Sequence, residues 1–272
     1  MPVFSLDYLR RVGASVFTAA GATPAAADVV AGLLADANAV GHDSHGVIRI
    51  PQYVATIENG DIDPGASVAV TRETAVSAVL DGQWGFGQVV MNHAVEWALE
   101  RAGRYGVAAV TVKNANHIGR LGSYMQRVAE AEMIGLLCTN SHGGGSIVAP
   151  WGGKAGRLGT NPLAAGFPGA EGGSLVLDMT TSVVAEGKVR IKRNRGEPAP
   201  AGWIVDAEGA GSTDPEDFYG EPRGSLLPFG GSMGHKGYGL GVVVELLGGA
   251  LSGAGCARGK NVRNGNGNFL LV

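Results

Sequence analysis

Glycine is the feature of this chain that most restricts its fold. The 272 residues include 46 glycines, which together with 12 prolines make up about a fifth of the sequence, against roughly 12% in an average globular protein. Because glycine adopts backbone conformations closed to other residues, we expect frequent turns and close backbone approaches. The glycines follow no G-X-Y period and 45% of the residues are hydrophobic, which excludes collagen and low-complexity disorder. The sequence therefore predicts a globular protein with a large core.

The balance of charges restricts the possible partners. Lys and Arg number 21 and Asp and Glu number 24, so the formal net charge is −3. A nucleic-acid-binding surface needs a basic excess, and we therefore expect no nucleic-acid partner. The two cysteines, Cys138 and Cys256, form no C-x-x-C pair. Neither a disulfide framework nor a cysteine-based metal site is expected.

Two stretches bear on location. The N-terminal residues 1–17 lack the basic start and apolar core of a secretory signal, so we expect a cytoplasmic protein. Residues 239–257 carry a single charge, Glu245. A carboxylate in the middle of a lipid-exposed span is costly, and the stretch is rich in glycine, which lets helices pack closely. We interpret it as a buried helix and expect no membrane span.

Apolar periodicity changes character near residue 65. Before it, helical spacing predicts three short helices, the first capped by Ser5, the second over Ala25–Ala39 and the third over Val47–Asn59. After it, strands alternate with helices, and Gly, Pro and acidic residues at 194–223 indicate an irregular surface excursion. We predict an N-terminal helical segment with a substrate-site loop (1–64), an α/β body (65–272), and α/β as the fold class.

Common nucleotide-binding signatures are absent from the sequence. The nearest approach to the dinucleotide fingerprint G-x-G-x-x-G is Gly85-Phe86-Gly87, which lacks the third glycine. The phosphate loop G-x-x-x-x-G-K-[ST] does not occur either. A nucleotide, if one is used, is held by another backbone arrangement.

Histidines beside glycines are the candidates for acid and base chemistry. The sequence contains only six, and His42, His45, His117 and His142 lie in polar stretches flanked by glycine. The ordinary pKa of histidine, about 6.5, suits proton transfer near neutral pH. Arg49 follows His45 by four residues, so an imidazole and a guanidinium can face one ligand. That pair is what a small 2-oxo or 2-hydroxy acid requires.

Structural interpretations of the same residues remain open. His45 can cap the third helix while Arg49 makes a surface ion pair, and His117 can be merely solvated. His42 and His45, with Asp43 between them, can contribute to a metal site, but no third or fourth ligand is visible in the sequence. We therefore expect no metal.

Three further stretches carry polar groups at junctions between elements. Residues 158–162, Leu-Gly-Thr-Asn-Pro, can present backbone donors. Asp178 ends a strand, where it either caps the helix that follows or meets a ribose or amide. His235 and Lys236 lead into the apolar stretch, where helix N–H groups can face a phosphate.

These stretches occur together in the order found in a known family. The chain resembles the malate/L-lactate dehydrogenase family, which includes ureidoglycolate, sulfolactate and diketogulonate dehydrogenases and cyclic-imine-2-carboxylate reductases. The resemblance runs from the first helix to the last residue. The motifs that carry it are Ser44-His45-Gly46 with Arg49 and Tyr53, Asn116-His117-Ile118-Gly119, Thr139-Asn140-Ser141, Val148-Ala149-Pro150, Leu158-Gly159-Thr160-Asn161-Pro162, Asp178-Met179-Thr180-Thr181-Ser182 and Lys236-Gly237-Tyr238-Gly239-Leu240.

The resemblance implies a non-Rossmann mixed-sheet fold and a homodimer that uses NAD or NADP on a small 2-hydroxy or 2-oxo acid. It implies that Arg49 grips the substrate carboxylate and that His45 or His117 handles the proton, with Ser44 beside them in the same motif. The residues that resemble the family's cofactor contacts are Ser141, Asp178, Met179, Thr180, His235 and Lys236.

The chain departs from the family in its length. Family members normally continue well past the point corresponding to Val272, so a C-terminal truncation is expected. Three alternatives to a dehydrogenase remain: a cyclic-imine-2-carboxylate reductase, an inactive remnant or binding module of the same fold, and a metal hydrolase.

Overall fold

The computed structural model describes residues 3–143, 146–257 and 263–272. The chain divides into two compact units. The first unit comprises Met1–Leu137, Ala164–Asp178 and Asn268–Val272, and the second comprises Cys138–Leu163 and Met179–Gly267. The sequence-based division between residues 64 and 65 is a different partition and stays a prediction.

Within the described residues the first unit contains five helices, and the first two begin at side-chain caps. The five helices are α1 (Leu6–Ala19), α2 (Pro24–Ala39), α3 (Ile50–Glu58), α4 (Gly87–Tyr105) and α5 (Leu121–Glu130). The predicted cap at Ser5 is confirmed, since its hydroxyl accepts a hydrogen bond from the Tyr8 N–H. Thr23 caps α2 in the same way through the Ala26 N–H. A side-chain cap satisfies an N–H that the helix leaves unpaired, which fixes where the helix starts.

The larger of the two sheets is a seven-stranded mixed sheet. Its strands are β1 (Ala69–Glu73), β2 (Ser77–Asp81), β3 (Ala109–Ala115), β4 (Gly135–His142), β5 (Leu163–Pro168), β6 (Ser174–Met179) and β10 (Gly265–Leu271). Their order is β1-β2-β3-β10-β4-β5-β6. β1 and β2 are antiparallel, whereas β2 and β3 are parallel. The predicted α/β class with a mixed sheet is confirmed.

Two apolar clusters hold the first unit together. One lies between the sheet and helices α4 and α5, with fully buried Leu80, Met91, Val110 and Met125 among its members. The other joins the N-terminal helices around Phe17, whose ring lies 5.6 Å from that of Phe86 and 6.2 Å from that of Tyr53, measured between centroids. This second cluster therefore positions α3.

The second unit contains a smaller sheet and the apolar helix. Strands β7 (Ile204–Val205), β8 (Gly211–Ser212) and β9 (Ser225–Leu226) pair in the order β8-β7-β9. Helices α6 (Glu186–Arg195), α7 (Pro215–Tyr219) and α8 (Gly234–Glu245) belong to the same unit, and α8 continues as a π-helical stretch, Leu246–Leu251. A core of apolar residues, with Val189, Ile204 and Phe218 fully buried, packs between them.

The prediction of an irregular surface excursion at 194–223 is wrong. Strands β7 and β8 and helix α7 lie within it, and the side chains of Ile204 and Phe218 are inaccessible to solvent. The few apolar residues of this stretch are separated by Pro, Gly and acidic residues, which hides their common burial from any periodicity.

Helix formation in the apolar stretch 239–257 is confirmed as far as Leu251, but burial is not uniform. Val243, Leu246 and Leu251 are about half exposed, whereas Glu245 is buried. The Glu245 carboxylate accepts hydrogen bonds from the Asn140 and Asn161 side-chain amides at 3.3 and 2.7 Å and from the Ala257 N–H. Within the described residues, no helix is both long and apolar enough to cross a membrane.

Replacing Phe17 by alanine tests the role of the second cluster. Phe17→Ala removes a fully buried ring, and we expect it to lower the free energy of unfolding by about 3–5 kcal/mol. Val12→Ala, on the exposed face of the same helix, is the matched control and should cost less than about 0.5 kcal/mol. Urea unfolding followed by circular dichroism measures both, and equal losses would contradict the assigned packing.

Candidate active site

Three imidazoles lie together in the first unit. The ring centroids of His42 and His45 are 4.6 Å apart with an edge-to-face geometry, and those of His45 and His117 are 5.3 Å apart. His117 follows β3 by two residues, whereas His42 and His45 lie between α2 and α3. The fold thus joins two motifs that are about 70 residues apart in the sequence.

Short turns present the first two histidines. Asp43–His45 and Val47–Arg49 are single 3-10 turns on either side of Gly46. The Asn38 side chain fixes them, because its carbonyl oxygen accepts from the Val47 N–H at 2.8 Å and its amide donates to Asp43 at 2.6 Å. A Cβ at Gly46 would lie 2.2 Å from that Asn38 oxygen, so a larger residue there would displace the Asn38 side chain from these hydrogen bonds. Sequence reasoning missed Asn38, which sits inside the predicted second helix.

Arg49 and Ser44 stabilise the same turns. The Arg49 Nε donates to the Ser44 carbonyl oxygen at 2.7 Å, and its Nη1 donates to Gln52 at 2.6 Å. The Ser44 hydroxyl lies 3.0 Å from His45 Nδ1. The alternative that His45 caps the third helix is wrong, because Arg49 occupies the cap position of α3 and no side chain caps that helix.

His117 is held from two sides. Its Nδ1 lies 2.6 Å from the Tyr53 hydroxyl, which also accepts a hydrogen bond of 2.9 Å from the Gln88 side-chain amide. Asn116 anchors the adjacent backbone by donating to the carbonyl oxygens of Asp61 and Trp84 at 3.0 and 2.8 Å. His117 is therefore ordered by its surroundings and is not a freely solvated loop histidine.

Burial and the neighbouring cation keep both imidazoles neutral. Burial, with smaller contributions from His117, His42 and Arg49, lowers the pKa of His45 to about 2. Burial and then Arg49 lower the pKa of His117 to about 3. Burial raises the pKa of the Tyr53 hydroxyl to about 12. At neutral pH the site consequently holds neutral imidazoles and a protonated phenol beside a guanidinium.

Asp178 lies in the first unit, and its carboxylate accepts a hydrogen bond of 2.7 Å from the Gly122 N–H at the start of α5. The alternative that it caps the helix following its own strand is wrong, since α6 begins only at Glu186. A carboxylate at a helix N-terminus is stabilised by the unpaired N–H groups and the helix dipole. The partner helix precedes Asp178 by more than 50 residues, so local sequence gave no signal for it.

The other expected cofactor residues lie in the second unit. Ser141 is on β4, Met179 ends β6, and Thr180 donates its hydroxyl to the Ser182 carbonyl oxygen at 2.9 Å. His235 and Lys236 form the exposed first turn of α8. The His235 ring lies edge-to-face with Trp151, 6.2 Å between centroids.

Asn161 ties the stretch 158–162 to α8. Its amide donates to the Gly241 carbonyl oxygen at 3.0 Å and to Glu245 at 2.7 Å, and its backbone has a φ of +38°. This contact is the reason that a carboxylate occurs in an apolar helix. Across the described residues, no group of three or more His, Cys, Asp or Glu side chains is placed to hold a metal ion.

Comparison with known proteins assigns the chain to a family. The family model for malate/L-lactate dehydrogenase matches residues 4–272. The chain belongs to this family. The predicted resemblance, its mixed-sheet fold and the enzyme class of 2-hydroxy acid dehydrogenase are thereby confirmed.

The relatives of this chain are named after different substrates. L-lactate dehydrogenase from Cupriavidus necator is 38% identical over 262 residues, which cover 96% of this chain and 74% of the relative. Malate dehydrogenase from Pyrococcus abyssi is 42% identical over 255 residues, covering 92% of this chain and 68% of the relative. The family assignment consequently leaves the substrate open.

Solved structures agree with the fold of this family member. A structure from E. coli, described as a malate/lactate dehydrogenase, has a TM-score of 0.94 and 34% identity, and the match covers 100% of this chain and 76% of that one. Delta1-piperideine-2-carboxylate reductase from Pseudomonas syringae pvar. tomato has a TM-score of 0.88 and 30% identity, covering 100% and 82%. The similarity thus extends to a protein named as a reductase.

The pKa shifts predict how stability depends on pH. The unfolded chain binds protons at histidine with a pKa near 6.5, whereas folded His45 and His117 have pKa values of about 2 and 3. Their contribution is fully present above about pH 6.5 and is lost as the pH falls toward 3. We expect urea midpoints of the wild type to fall between pH 7 and 4.

Replacement by glutamine separates these histidines from other titrating groups. His117→Gln and His45→Gln should each flatten the decline of the urea midpoint with falling pH. His93→Gln, at an exposed position of α4, should leave the slope as in the wild type. An unchanged slope in both buried variants would refute the assigned neutral state.

Proposed function

We propose that the protein is an NAD(P)-dependent oxidoreductase that interconverts a small 2-hydroxy acid and its 2-oxo acid. The observation that carries this proposal is the pair of neutral imidazoles, His45 and His117, with ring centroids 5.3 Å apart and Arg49 close enough to lower the pKa of both. A proton-transfer group and a carboxylate-binding cation are the two things that this substrate class requires.

Arg49 has the geometry to hold the substrate carboxylate. Its Nε and Nη1 are used by Ser44 and Gln52, which fixes the plane of the guanidinium. A guanidinium binds a carboxylate through paired hydrogen bonds, and this orients the carbon next to the carboxylate. The Arg49 side chain thus serves as the anchor in either direction of the reaction.

Substrate binding adjusts the imidazoles for proton transfer. Arg49 lowers the pKa of His45 and His117 in the free protein. A bound carboxylate offsets this positive charge, and the pKa of each imidazole then rises toward the neutral range. In the oxidation direction the neutral imidazole accepts the hydroxyl proton, and in the reduction direction the protonated imidazole returns it.

The second unit offers donors that suit a dinucleotide. Lys236 and His235 occupy the first turn of α8, where helix N–H groups and the helix dipole favour phosphate. A Cβ at Gly234 would lie 2.5 Å from the Trp151 ring, so this turn packs closely against the indole. We propose that the cofactor contacts of this unit are Lys236 and His235 for phosphate, together with Ser141, Met179 and Thr180. Asp178, which belongs to the first unit, stays a separate prediction. When bound, a nicotinamide ring supplies or accepts the hydride.

Several finer expectations stay predictions. They are the choice between NAD and NADP, the homodimer and the cytoplasmic location. A cyclic-imine-2-carboxylate reductase is the second candidate function, favoured by the structural match to delta1-piperideine-2-carboxylate reductase. Its substrate carries the same carboxylate beside the reacting carbon, so Arg49 has the same role in both proposals.

An assay of the purified protein with each cofactor tests the proposal. We expect loss of reduced-nicotinamide absorbance with pyruvate, oxaloacetate or sulfopyruvate in the presence of NADH or NADPH. Turnover of a cyclic imine carboxylate alone would favour the second candidate. If titration with NADH and NADPH changes no nicotinamide fluorescence, the protein is a remnant of the fold and the proposal fails.

Variants then test the assigned residues. His45→Asn and His117→Asn should reduce kcat, with the loss of about 10²–10⁴-fold expected for a proton-transfer group in at least one of them. Arg49→Lys should mainly raise KM, by about 10-fold or more, because lysine cannot pair with both carboxylate oxygens. His93→Asn is the exposed control. Full turnover in the His45→Asn/His117→Asn double variant would overturn the assignment.

A further inference from the structure

Two buried side chains next to His117 have no part in the proposed reaction. Tyr53 and Gln88 are 2% and 1% exposed, and they form a chain of hydrogen bonds that ends at His117 Nδ1. The distances are 2.9 Å from the Gln88 amide nitrogen to the Tyr53 oxygen and 2.6 Å from that oxygen to Nδ1. These hydrogen bonds reach the imidazole at Nδ1, and the other ring nitrogen, Nε2, takes no part in them.

The order of donors in this chain determines where the imidazole proton lies. The Gln88 amide donates to the phenol oxygen, so the Tyr53 O–H points to the other neighbour of that oxygen, His117 Nδ1. Nδ1 is then an acceptor, and a neutral imidazole carries its proton on Nε2. Burial raises the pKa of Tyr53 to about 12, so the phenol remains a donor at neutral pH.

We propose that Tyr53 and Gln88 are positioning residues that hold His117 as the Nε2–H tautomer and direct Nε2 at the substrate oxygen. The benefit to catalysis rests on the proposed function: in the direction of reduction the Nε2–H group donates a hydrogen bond to the 2-oxo group. Because Nε2 has no free lone pair in this tautomer, His45 is the imidazole that accepts the hydroxyl proton in the direction of oxidation. The tautomer itself does not depend on that function.

Packing alone does not account for glutamine at position 88. Its Oε1 is buried and has no hydrogen-bond partner among the described residues. Leaving such an atom unpaired is unfavourable, and a methionine would fill a similar volume without an unpaired oxygen. The bond that the amide makes to Tyr53 supplies the reason for a polar side chain there.

Close backbone contacts fix Gln88 relative to His117. A Cβ at Gly87 would lie 2.2 Å from the Asn116 carbonyl oxygen and 2.6 Å from that of His117, so the start of α4 touches the backbone beside the imidazole. At Gly119, where φ is +79°, a Cβ would lie 3.4 Å from the Gln88 amide nitrogen. The helix start that carries Gln88 is thus fixed against the backbone beside His117, and the Gln88 amide packs near Gly119.

Nitrogen NMR of histidine-labelled protein measures the tautomer directly. The long-range ¹H–¹⁵N pattern of His117, assigned by its absence in His117→Gln, should be that of an Nε2–H imidazole at pH 7. In Tyr53→Phe the Nδ1 acceptor loses its donor, and we expect a mixture with the Nδ1–H form. An unchanged pattern in Tyr53→Phe would overturn the proposal.

Gln88→Met gives an independent route if Tyr53→Phe does not fold. The phenol then loses the donor that orients it, and a mixture of tautomers is again expected. A pure Nε2–H pattern in Gln88→Met would show that Gln88 does not position the phenol. For both variants we expect kcat to fall by about 10- to 100-fold, less than the loss of a proton-transfer group itself, and KM to change by less than about threefold.

Tyr124→Phe is the matched control. Tyr124 is also a buried tyrosine of the first unit, but its hydroxyl donates to the Ile118 carbonyl oxygen at 2.5 Å and not to an imidazole. This variant should lose stability and keep the His117 pattern. If it shifts the pattern as much as Tyr53→Phe does, general packing controls the tautomer and the proposal fails.

The two readouts distinguish this proposal from the proposed function. If Tyr53→Phe shifts the tautomer of His117 but the wild type reduces neither a 2-oxo acid nor a cyclic imine, the hydrogen-bond chain is supported and the proposed function is refuted. Normal turnover in the wild type with an unshifted tautomer in Tyr53→Phe would refute the chain alone.

Discussion

The contact between the start of α4 and the backbone at Asn116 and His117 is the constraint on which the site depends. It is so close that position 87 has room only for the hydrogen of glycine. Because Gln88 is the next residue, the same contact places its amide 2.9 Å from the Tyr53 hydroxyl. Phe17 packs against both Tyr53 and Phe86 and secures the other side. A backbone contact thereby sets the geometry of a side-chain site.

The electrostatics of the site follow from that packing. Burial is the largest cause of the lowered pKa of His45 and of His117, and Arg49 adds to it. The free protein therefore holds a cation without a neighbouring imidazolium, an arrangement complementary to an anionic substrate. In the proposed reaction the negative charge of the substrate carboxylate offsets that of Arg49, which raises the pKa of the imidazoles toward the range where they exchange protons near neutral pH.

Local sequence predicted what local interactions determine. Caps and apolar spacing predicted α1 and α2, and apolar spacing predicted α3, which begins at Ile50 and not at Val47. Family motifs pointed to His45, His117 and Arg49 as candidates, and the fold brings the two imidazoles together. Contacts between distant residues were not accessible in this way: Asn38 supports the turn at Gly46, and Asp178 accepts from Gly122. Gln88 was missed for a related reason, since the role of a glutamine in the first turn of a helix is visible only once its partner is known.

The strand order of the seven-stranded sheet has a consequence for biosynthesis. Strand β10 (265–271) lies between β3 and β4, and its Leu270 is fully buried in the main core. Every other strand of that sheet leaves the ribosome earlier. Until β10 is made, β3 and β4 each have an unpaired edge, and the core lacks one of its central side chains. The nascent chain therefore exposes these two strand edges until residues 265–271 have been made.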